Sequence, residues 1–113
     1  MGILNVTKDN YEEVIKDSAV LEFWLPQCEA CEGMLDILSK LDINHYRVNA
    51  DTELYLMEKY RIVGLPCVMY FNDSKVIGFR GTEPYEGLDK FPYTKMKELI
   101  TNDVERLNLV RRN

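Results

Sequence analysis

Positive charge is in short supply in this chain. Fourteen Lys and Arg residues face nineteen Asp and Glu over 113 residues, a net charge of −5. The basic residues form no stripe interleaved with aromatics, which argues against a nucleic-acid backbone as a general partner. Arg111 and Arg112 make the one basic cluster, read as a solvated helix end complementing the helix dipole. Long hydrophobic runs are missing too. None nears the roughly 18 apolar residues that cross a bilayer, so no membrane segment is expected. The N-terminus has no basic stretch followed by an apolar one, so no secretory signal is expected. The Met1-Gly2 start has Val6 where N-myristoylation calls for Ser or Thr. Three cysteines make a poor disulfide framework, and at 46% hydrophobic residues the chain can bury one sound core without one. Repeats, low-complexity tracts and linkers are absent. What remains reads as one domain over residues 1–113, expected to be a monomer in a reducing, cytoplasmic setting.

Against that background two of the cysteines stand out. Cys28 and Cys31 sit three apart, behind the apolar run Ala19-Val20-Leu21-Glu22-Phe23-Trp24-Leu25 and ahead of a helical pattern, Met34, Leu35, Leu38 and Leu41. A C-x-x-C at a strand-to-helix junction holds its first sulfur beside unpaired backbone N–H groups and the positive end of the helix dipole. Both favour the thiolate, the reactive species. The second sulfur lies one helical turn on, within reach of the first. The pattern suits reversible disulfide chemistry.

Periodicity supplies the rest. Ile3–Val6 reads as a short edge strand. Thr7 or Asp9 can cap a helix over about 8–17. Residues 19–25 read as a central strand buried on both faces, and Glu29–Leu41 as the helix after the cysteines. Asn44–Ala50 is a second strand candidate, and Asp51 or Thr52 can cap a short helix to about Tyr60. After Gly64-Leu65-Pro66 come Cys67–Phe71 as a strand, a turn at 72–74 and Lys75–Arg80 as its hairpin partner. Gly81–Pro92 reads as a loop. Tyr93–Val110 closes the chain as a helix with Met96, Leu99, Ile100, Val104 and Leu107 on one face. The order β-α-β-α-β-α-β-β-α implies an α/β fold, a mixed central β-sheet flanked by helices.

Several separately placed stretches now resemble the thioredoxin family over about residues 3–105. Glu22-Phe23-Trp24 leading into Cys28-Glu29-Ala30-Cys31 resembles its acid-Phe-Trp approach to C-x-x-C. Arg47-Val48-Asn49-Ala50-Asp51 resembles its basic-apolar-Asn strand end, and Val63-Gly64-Leu65-Pro66 its cis-proline loop. The late hairpin followed by Gly81 also matches. Four positions depart: Gln27 replaces a usual Trp, Glu29-Ala30 replaces Gly-Pro, and Cys67 replaces Thr. Glutaredoxins share the core, but the leading strand and helix here, and the lack of Gly-Gly after the hairpin, favour the thioredoxin likeness.

The resemblance implies a thioredoxin fold and a protein-disulfide reductase. It would need no resident cofactor, act on disulfide-containing proteins and be recharged by a thioredoxin-reductase-like donor. It implies that Cys28 attacks, that Cys31 resolves, and that Glu22, with Arg47 as basic partner, accepts the Cys31 proton. It places Trp24, Pro26, Gln27, Leu65, Pro66, Cys67 and Gly81 around the substrate. Pro66 is expected to be cis, with the Leu65 backbone free to pair an extended peptide. Cys67 is expected near the pair, either as a small buried hydrophobe or as a third reactive thiol. Two other readings stay open. Cys28, Cys31 and Cys67 with an external ligand could hold zinc or an iron–sulfur cluster, or the enzyme could use glutathione in the manner of glutaredoxins. His45, the one histidine, is read as a loop residue and not as a ligand.

Overall fold

The apolar run at 19–24 forms the middle of a sheet because it can be buried from both sides. The structure, a computed structural model, describes residues 4–111. The elements are β1 (Leu4–Asn5), α1 (Tyr11–Val14), β2 (Ala19–Trp24), α2 (Glu29–Ser39), β3 (His45–Asn49), α3 (Leu54–Lys59), β4 (Cys67–Asn72), β5 (Lys75–Arg80) and α4 (Tyr93–Arg106), with a 3-10 turn at Glu83–Tyr85. The strands lie in the order β1-β3-β2-β4-β5. The first three are parallel, β4 runs antiparallel to β2, and β5, antiparallel to β4, shares the direction of the first three. The expected element order and mixed sheet are therefore present. Among the described residues no helix is long and apolar enough to cross a membrane.

Strand alternation sorts the core into two layers. Leu21 and Phe23 of β2 with Cys67, Met69 and Phe71 of β4 pack toward α1 and α3. Val20, Val68 and Tyr70 point the other way and meet Met34, Ile37 and Leu38 of α2 and Met96, Ile100 and Val104 of α4. Glu22 shares the face of Val20, so it looks into the layer beneath α2.

The element ends depart from the sequence reading for identifiable reasons. Thr7 and Asn10 spend their side chains on a turn: the Asn10 side chain accepts from Thr7 N, and the Thr7 hydroxyl accepts from Asp9 N. The first helix therefore starts only at Tyr11, and neither Thr7 nor Asp9 caps it. Asn49, not Asp51 or Thr52, shapes the entry to α3, accepting from Asp51 N at 2.8 Å. The last helix stops at Arg106 because Asn108 turns left-handed (φ 57°) and the Leu109 N–H closes back on Val104 O. Arg111 is therefore no helix end. It pairs with Asp42, guanidinium to carboxylate at 3.0 Å. Ile3 and Arg112 lie outside the described residues.

A buried acid ties α4 to the sheet. Asp103 is 2% exposed and accepts from Tyr70 OH (2.7 Å) and from Arg80 Nε and Nη2 (2.6 and 2.9 Å). Burial alone would raise its pKa, but the Arg80 and Tyr70 hydrogen bonds and the Arg80 charge outweigh that and lower it. Its stabilisation is therefore complete above the ordinary carboxylate range and is lost as pH falls through the lower folded value. Asp103→Asn is expected to lower the unfolding free energy by about 2 kcal/mol at neutral pH. Urea titrations from pH 7 to pH 2 would show the difference between the two proteins closing at the acid end. A gap that stays constant over that range would contradict the assignment.

Candidate active site

The junction between β2 and α2 builds the site. Pro26 and Gln27 carry the chain out of β2, with Gln27 in the left-handed region (φ 59°), an uncommon conformation for a residue with a side chain. The turn delivers Cys28 to the N-cap of α2 in extended conformation, where its sulfur accepts from the Cys31 N–H at 3.2 Å. A cysteine sulfur thus does the work usually done by a capping oxygen, and any negative charge on it is met by that N–H and the helix dipole. Cys28 and Cys31 are closed as a disulfide, Cα atoms 5.2 Å apart. Cys28 is half-buried, whereas Cys31 is 1% exposed. An incoming sulfur can reach the first and not the second.

A buried polar cluster joins β2 to β3. Glu22 has 0% exposure. Register sets Arg47 directly across from it, and the guanidinium forks onto the carboxylate, Nε to Oε1 and Nη2 to Oε2, both at 3.1 Å. Arg47 also lies over the Trp24 ring, 4.0 Å from the centroid. Trp24 faces a hollow lined by Asn5, Thr7 and Asn49. His45 is not a loop residue. It opens β3, its side chain is 6% exposed, and its Nε2 lies 2.8 Å from Glu22 Oε1. The sequence contained the signal: in a strand with Arg47 aimed at Glu22, period two puts His45 on the same face.

Across the sheet the Leu65–Pro66 peptide bond is cis. Pro66 is buried, Leu65 half-buried. Pro66 O accepts from the Tyr85 hydroxyl at 3.3 Å, which ties the loop after β5 to the proline. The same loop leans on α2. A Cβ at Gly33 would come within 2.5 Å of the Phe91 ring, so the active-site helix needs glycine there. Nothing in the sequence singled out Tyr85 or Gly33, because each matters only through a partner distant in the chain. A cleft of about 380 Å³ opens beside the proline loop, lined by Gly64, Cys67, Met69, Phe79, Gly81 and Thr82 among others. Val63 is fully exposed at its side and Phe79 is 60% exposed. Gly81 is unconfined: a Cβ there would meet only the Phe79 ring at 4.0 Å.

Cys67 lies in β4 opposite Phe23, a free and buried thiol. Burial pushes its pKa up to about 11, and burial together with Cys67 pushes the Tyr85 hydroxyl up to about 12. Cys67 therefore stays a neutral thiol near pH 7, neither a ready nucleophile nor a ready ligand. Among the described residues no group of three or more His, Cys, Asp or Glu side chains converges as a metal site would require. The three-cysteine metal reading is accordingly not favoured.

The thioredoxin family model matches residues 2–92. The chain belongs to the thioredoxin family. Protein disulfide-isomerase from Drosophila melanogaster is 26% identical over 91 residues, covering 71% of this chain and 18% of the relative. A Dictyostelium discoideum protein provisionally named a protein disulfide-isomerase is 27% identical over 96 residues, 76% of this chain and 24% of that protein. The chain thus spans about a quarter or less of the curated relatives it matches. In fold it is similar to thioredoxin from Malassezia sympodialis (TM-score 0.69, 16% identity, 89% of this chain and 90% of that one). Mitochondrial thioredoxin 3 from Saccharomyces cerevisiae is similar too (TM-score 0.68, 20% identity, 88% and 94%).

The burial contrast makes a labelling prediction. In the reduced, folded protein near pH 7, iodoacetamide should modify Cys28 first and leave Cys67 unmodified until the chain is unfolded, as read by peptide mass spectrometry. Labelling of Cys67 as fast as Cys28 would overturn the assignment of a buried, protonated thiol.

Proposed function

We propose that this thioredoxin-family domain is a thiol–disulfide oxidoreductase that reduces protein disulfides through Cys28 and Cys31. The observation that carries the reading is the asymmetry of the pair: a reachable sulfur at a helix N-cap and a buried one a turn behind it. In the reaction, the Cys28 thiolate attacks one sulfur of a substrate disulfide, which breaks and releases one substrate thiol. Cys31 then loses its proton to Glu22 and attacks the Cys28 sulfur. The bond between Cys28 and substrate breaks, the second substrate sulfur leaves as a thiolate with the electron pair and is protonated from solvent, and a Cys28–Cys31 disulfide forms.

Arg47 is assigned to hold the Glu22 carboxylate, and the forked contact between them supports that role. Pro66, Leu65, Gly81 and Cys67 are assigned to the substrate side, with Gln27, Pro26 and Trp24 shaping the rim. The exposed Val63 and Phe79 beside the cleft supply apolar surface for an unfolded or extended substrate segment. We place the domain as a monomer in a reducing, cytoplasmic compartment with a thioredoxin-reductase-like donor. Its cysteine usage, one redox pair and one buried free thiol, supports that placement. The isomerase names of the relatives favour a second reading, rearrangement of disulfides, which differs in redox potential and not in residues.

The test is equilibration in defined dithiol buffers, alkylation of free thiols and mass spectrometry of each cysteine. A reductase is expected to show a Cys28–Cys31 couple near or below the glutathione poise of the cytosol, and a couple well above it would move the assignment to an isomerase or oxidase. Cys31→Ser is expected to accumulate a mixed disulfide with a substrate protein, while Cys28→Ser should form none. Equal trapping by both variants would sink the assigned order of attack.

A further inference from the structure

The Glu22 carboxylate is met by more donors than its partner Arg47 supplies. Oε1 faces both Arg47 Nε at 3.1 Å and His45 Nε2 at 2.8 Å, while Oε2 receives only Arg47 Nη2 at 3.1 Å. An ionised carboxylate only accepts, so the ring nitrogen turned to it carries the hydrogen. The other nitrogen, Nδ1, is buried with no hydrogen-bond partner among the described residues. A buried lone pair there is tolerable, whereas a second buried N–H would leave two cations sharing one anion with a donor unmet. The arrangement therefore selects the neutral imidazole with hydrogen on Nε2.

Counting lone pairs gives the consequence. A carboxylate offers about four acceptor positions, two on each oxygen. On Oε1 both are taken, by His45 and Arg47. On Oε2 one is taken, by Arg47. We propose that His45 is a positioning residue for the resolving step: by filling the second lone pair of Oε1 it leaves one open position, on Oε2, to receive the Cys31 proton. This rests on the oxidoreductase reading above. Around His45, β2 brings Glu22 and β3 itself Arg47. Two strands from His45, in the same row across Val20, lies Tyr70 of β4, its hydroxyl held by Asp103 of α4. β1 brings Asn5 opposite Arg47. α2 turns Cys31, Met34, Ile37 and Leu38 inward, while Glu29, Glu32, Asp36 and Lys40 are exposed. Glu22 and Cys31 face the same layer, so the proton moves within one compartment of the core. The transfer is a proton alone: Cys31 S–H becomes thiolate, Glu22 becomes a neutral carboxyl with its proton on Oε2, and the electron pair left on sulfur makes the bond to Cys28.

The experiment is single-turnover kinetics of a Cys28 mixed disulfide with a small chromophoric thiol, followed from pH 5 to 9. The proteins are wild type, His45→Leu and His45→Gln. His45→Leu is expected to slow release of the chromophore about tenfold near pH 7. The pH dependence of that release should also change in the variant. His45→Gln, which keeps an N–H donor at similar reach, should return the rate to within about twofold and restore the profile. Formation of the mixed disulfide, the Cys28 step, should be the same in all three. Variants indistinguishable from wild type, or slowed equally with an unmoved profile, would overturn the proposal. A wild-type protein that forms no mixed disulfide, or never releases the thiol, brings down the oxidoreductase reading and this proposal with it. Should His45→Leu fail to fold, imidazole NMR of the wild type decides. His45 is the chain's single histidine, so its ring signals stand alone. The Nε2–H tautomer at neutral pH supports the proposal, and the Nδ1–H tautomer overturns it.

Discussion

Glu22 has no exposed surface, and a carboxylate taken out of water costs several kcal/mol unless donors meet its oxygens. Much of the site follows from that demand. Parallel pairing of β2 with β3 sets Arg47 across from Glu22, and the strand pleat sends His45 to the same face. Three donor contacts then fix the carboxylate in the layer beneath α2. The same pairing holds β2 in the middle of the sheet, and β2 is the strand that launches the cysteine turn. A one-residue slip would send Glu22 into the apolar layer of Leu21 and Phe23 and strand Arg47 with it. The register of two strands therefore sets both the buried acid and the place from which Cys28 is presented.

The site gathers residues whose environments push their chemistry apart. Cys28 is half-buried at a helix N-cap, where backbone N–H groups favour a thiolate. Cys31 is sealed beneath it, and Cys67 is kept a thiol by burial alone. Three cysteines in one small domain thus have three separate characters, set by position and not by residue type. The polar anchors are divided too. Glu22 belongs to the layer under α2, and Asp103 locks α4 to β4 and β5 through Tyr70 and Arg80. The first is held between β2 and β3 by Arg47 and His45; the second fastens α4 to the same layer.

Much of this was legible from residues close together in the chain. The C-x-x-C at a strand-to-helix junction, the unbroken apolar run of β2, the hairpin turn at 72–74 and the helical stripe of α4 are local patterns. Local geometry fixes their periods. Asp103 is the instructive exception, because it lies on that apolar stripe three residues after Ile100. An acid at that position announces a buried partner without saying which one. Helix ends were misjudged where side chains found other work, as Thr7, Asn10 and Asn49 did, because the winning hydrogen bond is chosen only once the neighbouring backbone is in place.

The sequence by itself determined the order of elements, the two faces of each strand and the cysteine pair at the start of a helix. All of these follow from side-chain period and from spacings of a few residues. Only the tertiary structure decided which distant groups meet: His45 on Glu22, Tyr85 on the Pro66 carbonyl, Phe91 against Gly33, Arg111 on Asp42. Such meetings depend on strand register and on how loops fold back over the sheet. Those are settled by the burial of the whole core, and no short stretch of chain contains them.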